Sequence, residues 1–195
     1  MKALIDHARS FRQSAAGSEE FARLAQGQSP QVLFITCSDS RIIPALITGA
    51  RPGELFELRT AGNIVPPYES QQPTGEAATI EYAVEVLGVS DIVVCGHSHC
   101  GAVGAVVRGD DLASVPAVRD WLAHAASRPD GAHDDPAVAE AVQNHVLAQI
   151  LRLRSYPGIT RRLEEDQLRL HAWFYEVHTG SVLAHDAHAD AFLAL

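Results

Sequence analysis

Apolar and polar positions along the chain follow two alternating periods. The runs "QVLFITC" (31–37), "GELFELRT" (53–60) and "SDIVVCGH" (90–97) are apolar, rich in branched residues and of strand length. Between the second and third, "TGEAATIEYAVEVLG" places Ile80, Ala83, Val84 and Leu87 at helical spacing. Thr74 is its predicted N-cap, Glu76 sits in the positive first turn, and Gly88 ends it. A second helix is predicted to open with Asp135 as cap and Pro136 at the first position, and to run through "AVAEAVQNHVLAQILRLR" until Pro157 and Gly158 punctuate it. Strand runs alternating with helical runs predict a parallel sheet covered by helices.

The ends of the chain modify that frame. Residues 1–27 carry Leu4, Ile5, Phe21 and Leu24 among charges, a loose amphipathic pattern that predicts an N-terminal helical arm. Near the other end "QLRLHAWFYEV" and "SVLAHD" flank "HTG", which predicts a strand pair joined by a short turn. Residues 109–135, with clustered Asp, Pro and Gly, read as a connection holding one short helix around Trp121. The expected fold is therefore α/β: a mostly parallel central β-sheet flanked by helices, with the N-terminal arm and the C-terminal strand pair, in one domain over 1–195.

Composition narrows the function. With 195 residues and 47% hydrophobic content the chain can bury one sizeable core. A formal net charge of −9, a single lysine (Lys2) and no basic cluster longer than "RR" at 161 argue against nucleic acid or an anionic membrane as partner. The N-terminus has no apolar h-region and no run reaches membrane-span length, so the expected location is cytoplasmic. Three cysteines, an odd number, and no CxxC speak against a disulfide framework and thioredoxin-like chemistry. They point to reduced thiols with a local purpose.

That purpose is suggested by "FITCSDSRIIP" (34–44), where the strand ends in a turn bearing Cys37, Asp39 and Arg41. "CGHSHCGA" (95–102) repeats the design, a strand running into a small-residue helix start. In open parallel sheets functional groups collect beyond the carboxyl ends of strands, so the two segments are expected to share one crevice. A thiol from the first and a His-x-x-Cys from the second make three soft or borderline ligands, the complement of a catalytic zinc whose fourth position is left open. Cys95, inside an apolar strand, reads as a core residue, although it would face the same side as His97. Spacing leaves the choice between His97 and His99 open. The scattered His171, His178, His185 and His188 are given no metal role, and a closed structural zinc site is the main rival.

These residues carry a resemblance. "CSDSR" at 37–41 and "HSHC" at 97–100, with "PGELF", "RTAGNIVPPY" and "AATIEYAVEVLGVSDIVVCGHSHCGA" in the same order, make the chain similar to the β-class carbonic anhydrases, and "GQSP" and "VPPY" resemble a plant-like subgroup. The resemblance implies one Zn²⁺ per subunit held by Cys37, His97 and Cys100, with Cys95 and His99 outside the ligand set. It implies a homodimer, with possible pairing into tetramers, whose interfacial cleft is lined by Gln28, Phe56, Ala61, Tyr82 and Gly101. The implied reaction is reversible hydration of carbon dioxide to bicarbonate and a proton. In it Asp39 orients the zinc-bound water or hydroxide, and Arg41 keeps Asp39 ionised and away from the metal. A carbonyl sulfide or carbon disulfide hydrolase on the same fold and a non-catalytic zinc protein are the alternatives. Some family members carry a second, regulatory bicarbonate pocket of Trp, Arg and Tyr. Here the matching positions hold Phe34, Arg59 and Tyr175, so an unregulated enzyme is expected.

Overall fold

The computed structural model describes residues 1–15, 19–125 and 139–195. Strands β1 (Val32–Cys37), β2 (Leu55–Thr60), β3 (Asp91–His97), β4 (Arg169–Tyr175), β5 (Val182–Asp186) and β6 (Ala191–Ala194) form one sheet in the order β2-β1-β3-β4-β5-β6. The first four are parallel, and β5 and β6 extend the sheet antiparallel. The predicted C-terminal strand pair is thus the start of a three-stranded antiparallel extension.

The pleat of β1 explains how the sheet is covered. Leu33, Ile35 and Cys37 enter the main core with Ile80, Ala83 and Val84, while Phe34 points the other way, against Val93 and Cys95. Helices α4 (Gly75–Glu81), α5 (Gly101–Arg108), α7 (Ala139–Leu153) and α8 (Pro157–Glu164) accompany the first face. Thr74 caps α4 as predicted, its Oγ1 accepting from Ala77 N at 3.1 Å. The helix then widens into a π turn over Tyr82–Val86, with Leu87 N donating to Tyr82 O at 3.0 Å. Helix α7 lies so close to β3 at Gly96 that a Cβ there would meet Val142 Cγ1 and Val146 Cγ2 at 2.6 Å.

The opposite face is floored by Phe34, Val93 and Trp173, with Phe34 and Trp173 in edge contact at 5.9 Å, beneath a cavity of about 530 Å³. The N-terminal arm consists of α1 (Lys2–Ala15) and α2 (Glu19–Leu24), and it leaves Leu4, Ile5 and Phe11 exposed. The short helix expected around Trp121 is α6 (Pro116–Leu122). Two elements depart from expectation. Pro157 follows the predicted helix end but also occupies the first turn of α8, and Pro44 likewise opens α3 (Pro44–Thr48), because a fixed φ and a missing N–H suit that position. The predicted cap at Asp135 and Pro136 lies outside the described residues. No helix among the described residues is long and apolar enough to cross a membrane.

Candidate active site

The chain leaves β1 toward β2 on one side and enters β3 and β4 on the other, so a crevice opens beyond the carboxyl ends of β1 and β3. Cys37 is the last residue of β1 and His97 the last of β3. Beyond β3, Ser98 N donates to Tyr175 O at 2.9 Å, and Ser98 Oγ accepts from Val177 N at 2.9 Å, which fixes the exit of the strand. His99 takes a left-handed backbone (φ 56), and Cys100 then stands at the N-cap of α5. The donor atoms of Cys37, His97 and Cys100 lie within 4.8 Å of one another, and all three residues are buried. His99 stays outside this set, exposed, and spacing alone had left that choice open.

The donors suit a metal ion. His97 Nδ1–H donates to Ser98 O at 2.9 Å, and the other ring nitrogen, Nε2, is buried without a hydrogen-bond partner among the described residues. The neighbouring Cys100 sulfur favours the charged form of Cys37 and holds it well below the ordinary thiol range against the opposing effect of burial, while Cys37 and burial push Cys100 up. Two buried sulfurs clustered with an imidazole nitrogen make a donor set that one cation could complete. A tetrahedral zinc at about 2.3 Å from each sulfur needs them about 3.8 Å apart, within the observed spread. Cys95 behaves as the core residue expected: fully buried among the second-face residues, with its thiol at 3.5 Å from Gly96 O and pushed by burial up to about 12.

Asp39 and Arg41 stand at the mouth. Arg41 Nε donates to Asp39 Oδ1 at 2.9 Å and Nη2 to Oδ2 at 2.7 Å, a bidentate pair, and Nη2 also reaches His99 O at 3.1 Å. These bonds hold the Asp39 carboxyl far below the usual carboxylate range. Asp39 Oδ2 lies 3.9 Å from His97 Nε2. Arg59 clamps the loop from beneath, with Nε and Nη2 donating to Cys37 O at 3.2 and 2.9 Å and Nη2 to Asp39 O at 2.8 Å.

The other expected cleft residues divide into two groups. Gly101 opens α5 beside Cys100, and Ala61 begins a tight turn over Ala61–Asn63 whose Gly62 N–H donates to Cys37 Sγ at 3.4 Å. Gln28, Phe56 and Tyr82 are elsewhere. Phe56 pairs in register with Leu33 while Thr60 pairs with Cys37, so about 13 Å of strand separates Phe56 from the metal end. Tyr82 packs on Phe56 with ring centroids 6.0 Å apart, and Gln28 lines a cavity with Arg51 and Glu54. Sequence reasoning missed the residues that hold the 61–66 turn. His145 Nε2 donates to Gly62 O at 2.8 Å, Gln149 Oε1 accepts from Val65 N at 2.9 Å, and Trp121 Nε1 donates to Ala61 O at 2.9 Å. The signal was present in α7, where His145 and Gln149 interrupt the apolar stripe one turn apart.

A buried nitrogen and two sulfurs at the switch point of a parallel sheet, with a carboxylate–guanidinium pair at the opening, define an α/β protein with a site that could hold a divalent metal ion. The carbonic anhydrase family model matches residues 32–182. A carbonic anhydrase of Pseudomonas aeruginosa is 46% identical over 203 aligned positions, covering 100% of this chain and 92% of that protein. Among solved structures, the β-carbonic anhydrase CcaA superposes with a TM-score of 0.90 at 38% identity, covering 100% of this chain and 99% of that one. A tetrameric β-carbonic anhydrase of Sordaria macrospora gives a TM-score of 0.77 at 29% identity over 94% of each chain. The chain belongs to the β-class carbonic anhydrases.

Proposed function

We propose that this chain catalyses the zinc-dependent, reversible hydration of carbon dioxide to bicarbonate and a proton. One observation supports it above the rest: His97 Nε2, buried without a hydrogen-bond partner among the described residues, clusters with two sulfurs, and the Asp39 carboxylate is held at the edge. Zinc bound there supplies the Lewis acidity that makes water nucleophilic near neutral pH. Asp39 accepts a hydrogen bond from the attacking water and so aims its lone pair at the carbon of the substrate. Arg41 keeps Asp39 ionised, and its anchor on His99 O holds the carboxylate back from the metal. Ala61 and Gly101 offer small side chains beside the centre. Both thiols must stay reduced to bind metal, which fits a cytoplasmic location.

The cleft is completed by a second copy. Phe56 lies too far along its strand from its own metal end to line it, Tyr82 packs on Phe56 and is 44% exposed, Gln28 lines a separate cavity with Arg51 and Glu54, and the arm presents Leu4, Ile5 and Phe11 to solvent. A homodimer places these residues of one subunit at the centre of the other and covers apolar surface. The tetrameric relative fits further pairing of dimers. Allosteric control by bicarbonate is not expected. The Arg59 guanidinium is turned onto the carbonyls of Cys37 and Asp39, and Phe34, packed against Trp173, offers no N–H. Stopped-flow hydration by zinc-loaded protein tests the proposal. Asp39→Asn should keep stoichiometric zinc and lose turnover; wild-type-like turnover by that variant would refute the role of Asp39.

A further inference from the structure

Two thiolates make zinc a poorer Lewis acid than histidines do, so the groups that withdraw charge from the sulfurs matter to the reaction. One donor to Cys37 Sγ is Gly62 N–H, at 3.4 Å. That N–H belongs to the same peptide group as the Ala61 carbonyl, which accepts Trp121 Nε1–H at 2.9 Å. An amide is one conjugated unit. A hydrogen bond received at its oxygen makes its N–H a stronger donor, and hydrogen bonds in series reinforce one another.

The rest of the turn is fixed so that this chain of bonds has one geometry. Gly62 adopts φ +74, and a Cβ there would approach Ala102 Cβ to 3.2 Å, so the N–H direction depends on glycine. From the core side His145 donates to Gly62 O, and Gln149 accepts from Val65 N. Burial lowers the affinity of His145 for a second proton, which keeps it neutral. Trp121 itself sits on the short surface helix α6, and its indole N–H reaches the main chain of the turn.

We propose that Trp121 is a positioning residue for the metal centre: its indole N–H polarises the Ala61–Gly62 peptide, and through Gly62 N–H draws charge from the Cys37 sulfur. The proposal rests on the reading of Cys37 as a metal ligand. Hydrogen bonds to ligating atoms are an established means of tuning a metal, and their loss typically costs about 10–100-fold in affinity or activity.

The test uses the full-length protein loaded with zinc or with cobalt, and Trp121→Phe, which keeps an aromatic ring and removes the N–H. With cobalt, the sulfur-to-metal charge-transfer band should move to longer wavelength, because a sulfur holding more charge is easier to oxidise. With zinc, kcat near pH 7 should fall by about tenfold, at the low end for such contacts. The midpoint of the pH–rate profile should rise, so that the deficit shrinks toward pH 9. A loss of packing alone would lower the rate equally at every pH. If Trp121→Phe folds poorly, biosynthetic replacement of indole by benzothiophene in a Trp173→Phe background removes the same N–H with the ring shape kept. Wild-type protein that binds cobalt without a thiolate band overturns both this proposal and the metal assignment. Wild-type protein with the band and with hydration activity, beside a variant with the same band and midpoint, overturns the role of Trp121 alone.

Discussion

Gly96→Ala is a single-methyl perturbation whose effect can be worked out from the structure. The new Cβ would stand 2.6 Å from both Val142 Cγ1 and Val146 Cγ2, where ordinary contact begins near 3.4 Å, so α7 and β3 must separate by close to an ångström. Val142 and Val146 are both fully buried and cannot swing aside. Overpacking of this kind costs about 1–3 kcal/mol, and for a chain of this size each kcal/mol lowers Tm by about 2–4 °C. The loss should therefore lie between about 2 and 12 °C in thermal scans at matched protein concentration. The displacement should also reach the metal, because α7 carries His145 and Gln149, which hold the turn that donates to Cys37. Zinc affinity, measured by chelator competition, should weaken. Adding Val142→Ala makes room, so the double mutant should be more stable than the sum of the two single changes implies, by about 0.5–3 kcal/mol. Wild-type Tm and zinc affinity in Gly96→Ala, or strict additivity in the double mutant, would refute the close-packing argument.

The remaining predictions concern ligands and charges. Cys37→Ala or Cys100→Ala should lose zinc on dialysis together with turnover, whereas Cys95→Ala should keep both and cost only about 1 kcal/mol of stability by urea unfolding. Arg41→Ala should retain zinc by elemental analysis yet lose about 10–100-fold in kcat/KM, since Asp39 is no longer restrained. Burial raises the Asp91 carboxyl, but hydrogen bonds from Arg169, His171 and Ser90 outweigh it and hold it near about 2. That value is below the unfolded-state value of about 3.9, so the stabilisation is complete above roughly pH 4 and fades as pH falls toward 2. Asp91→Asn should be less stable than wild type at pH 7, with the gap in urea midpoint closing on acidification. A gap that persists unchanged at low pH would contradict the assignment.

The features legible in the sequence are those written in local periodicity. Apolar runs fixed β1, β2 and β3, and the Thr74 cap fixed the start of α4, because backbone and side-chain hydrogen bonds there involve near neighbours. The candidate metal donors were legible for a similar reason: His97 and Cys100 flank one strand-to-helix turn, and Cys37 ends the adjacent strand. Pro157 was ambiguous, since one residue both stops a helix and starts the next. Strand β6 is only four residues long and depends on pairing with β5 rather than on its own pattern. The hydrogen bonds of Trp121, His145 and Arg59 end on main-chain carbonyls, which carry no residue-type signature. Gln28, Phe56 and Tyr82 could be named from resemblance, but the separation of Phe56 from Cys37 emerges only from the strand register.

The neighbouring positions of β1 and β3, joined in sequence only through the whole of β2 and α4, have a kinetic consequence. His97 and Cys100 meet early in any folding route, but Cys37 joins them only after a long loop has closed and two parallel strands have paired in register. A metal that needs all three donors gains its full affinity late, on the native side of the rate-limiting barrier. Its binding energy then slows unfolding and leaves the refolding rate set by topology. Stripping the metal should accordingly shorten the lifetime of the folded chain while barely changing how fast a denatured chain collapses back, so the ion acts as a latch on a structure already assembled.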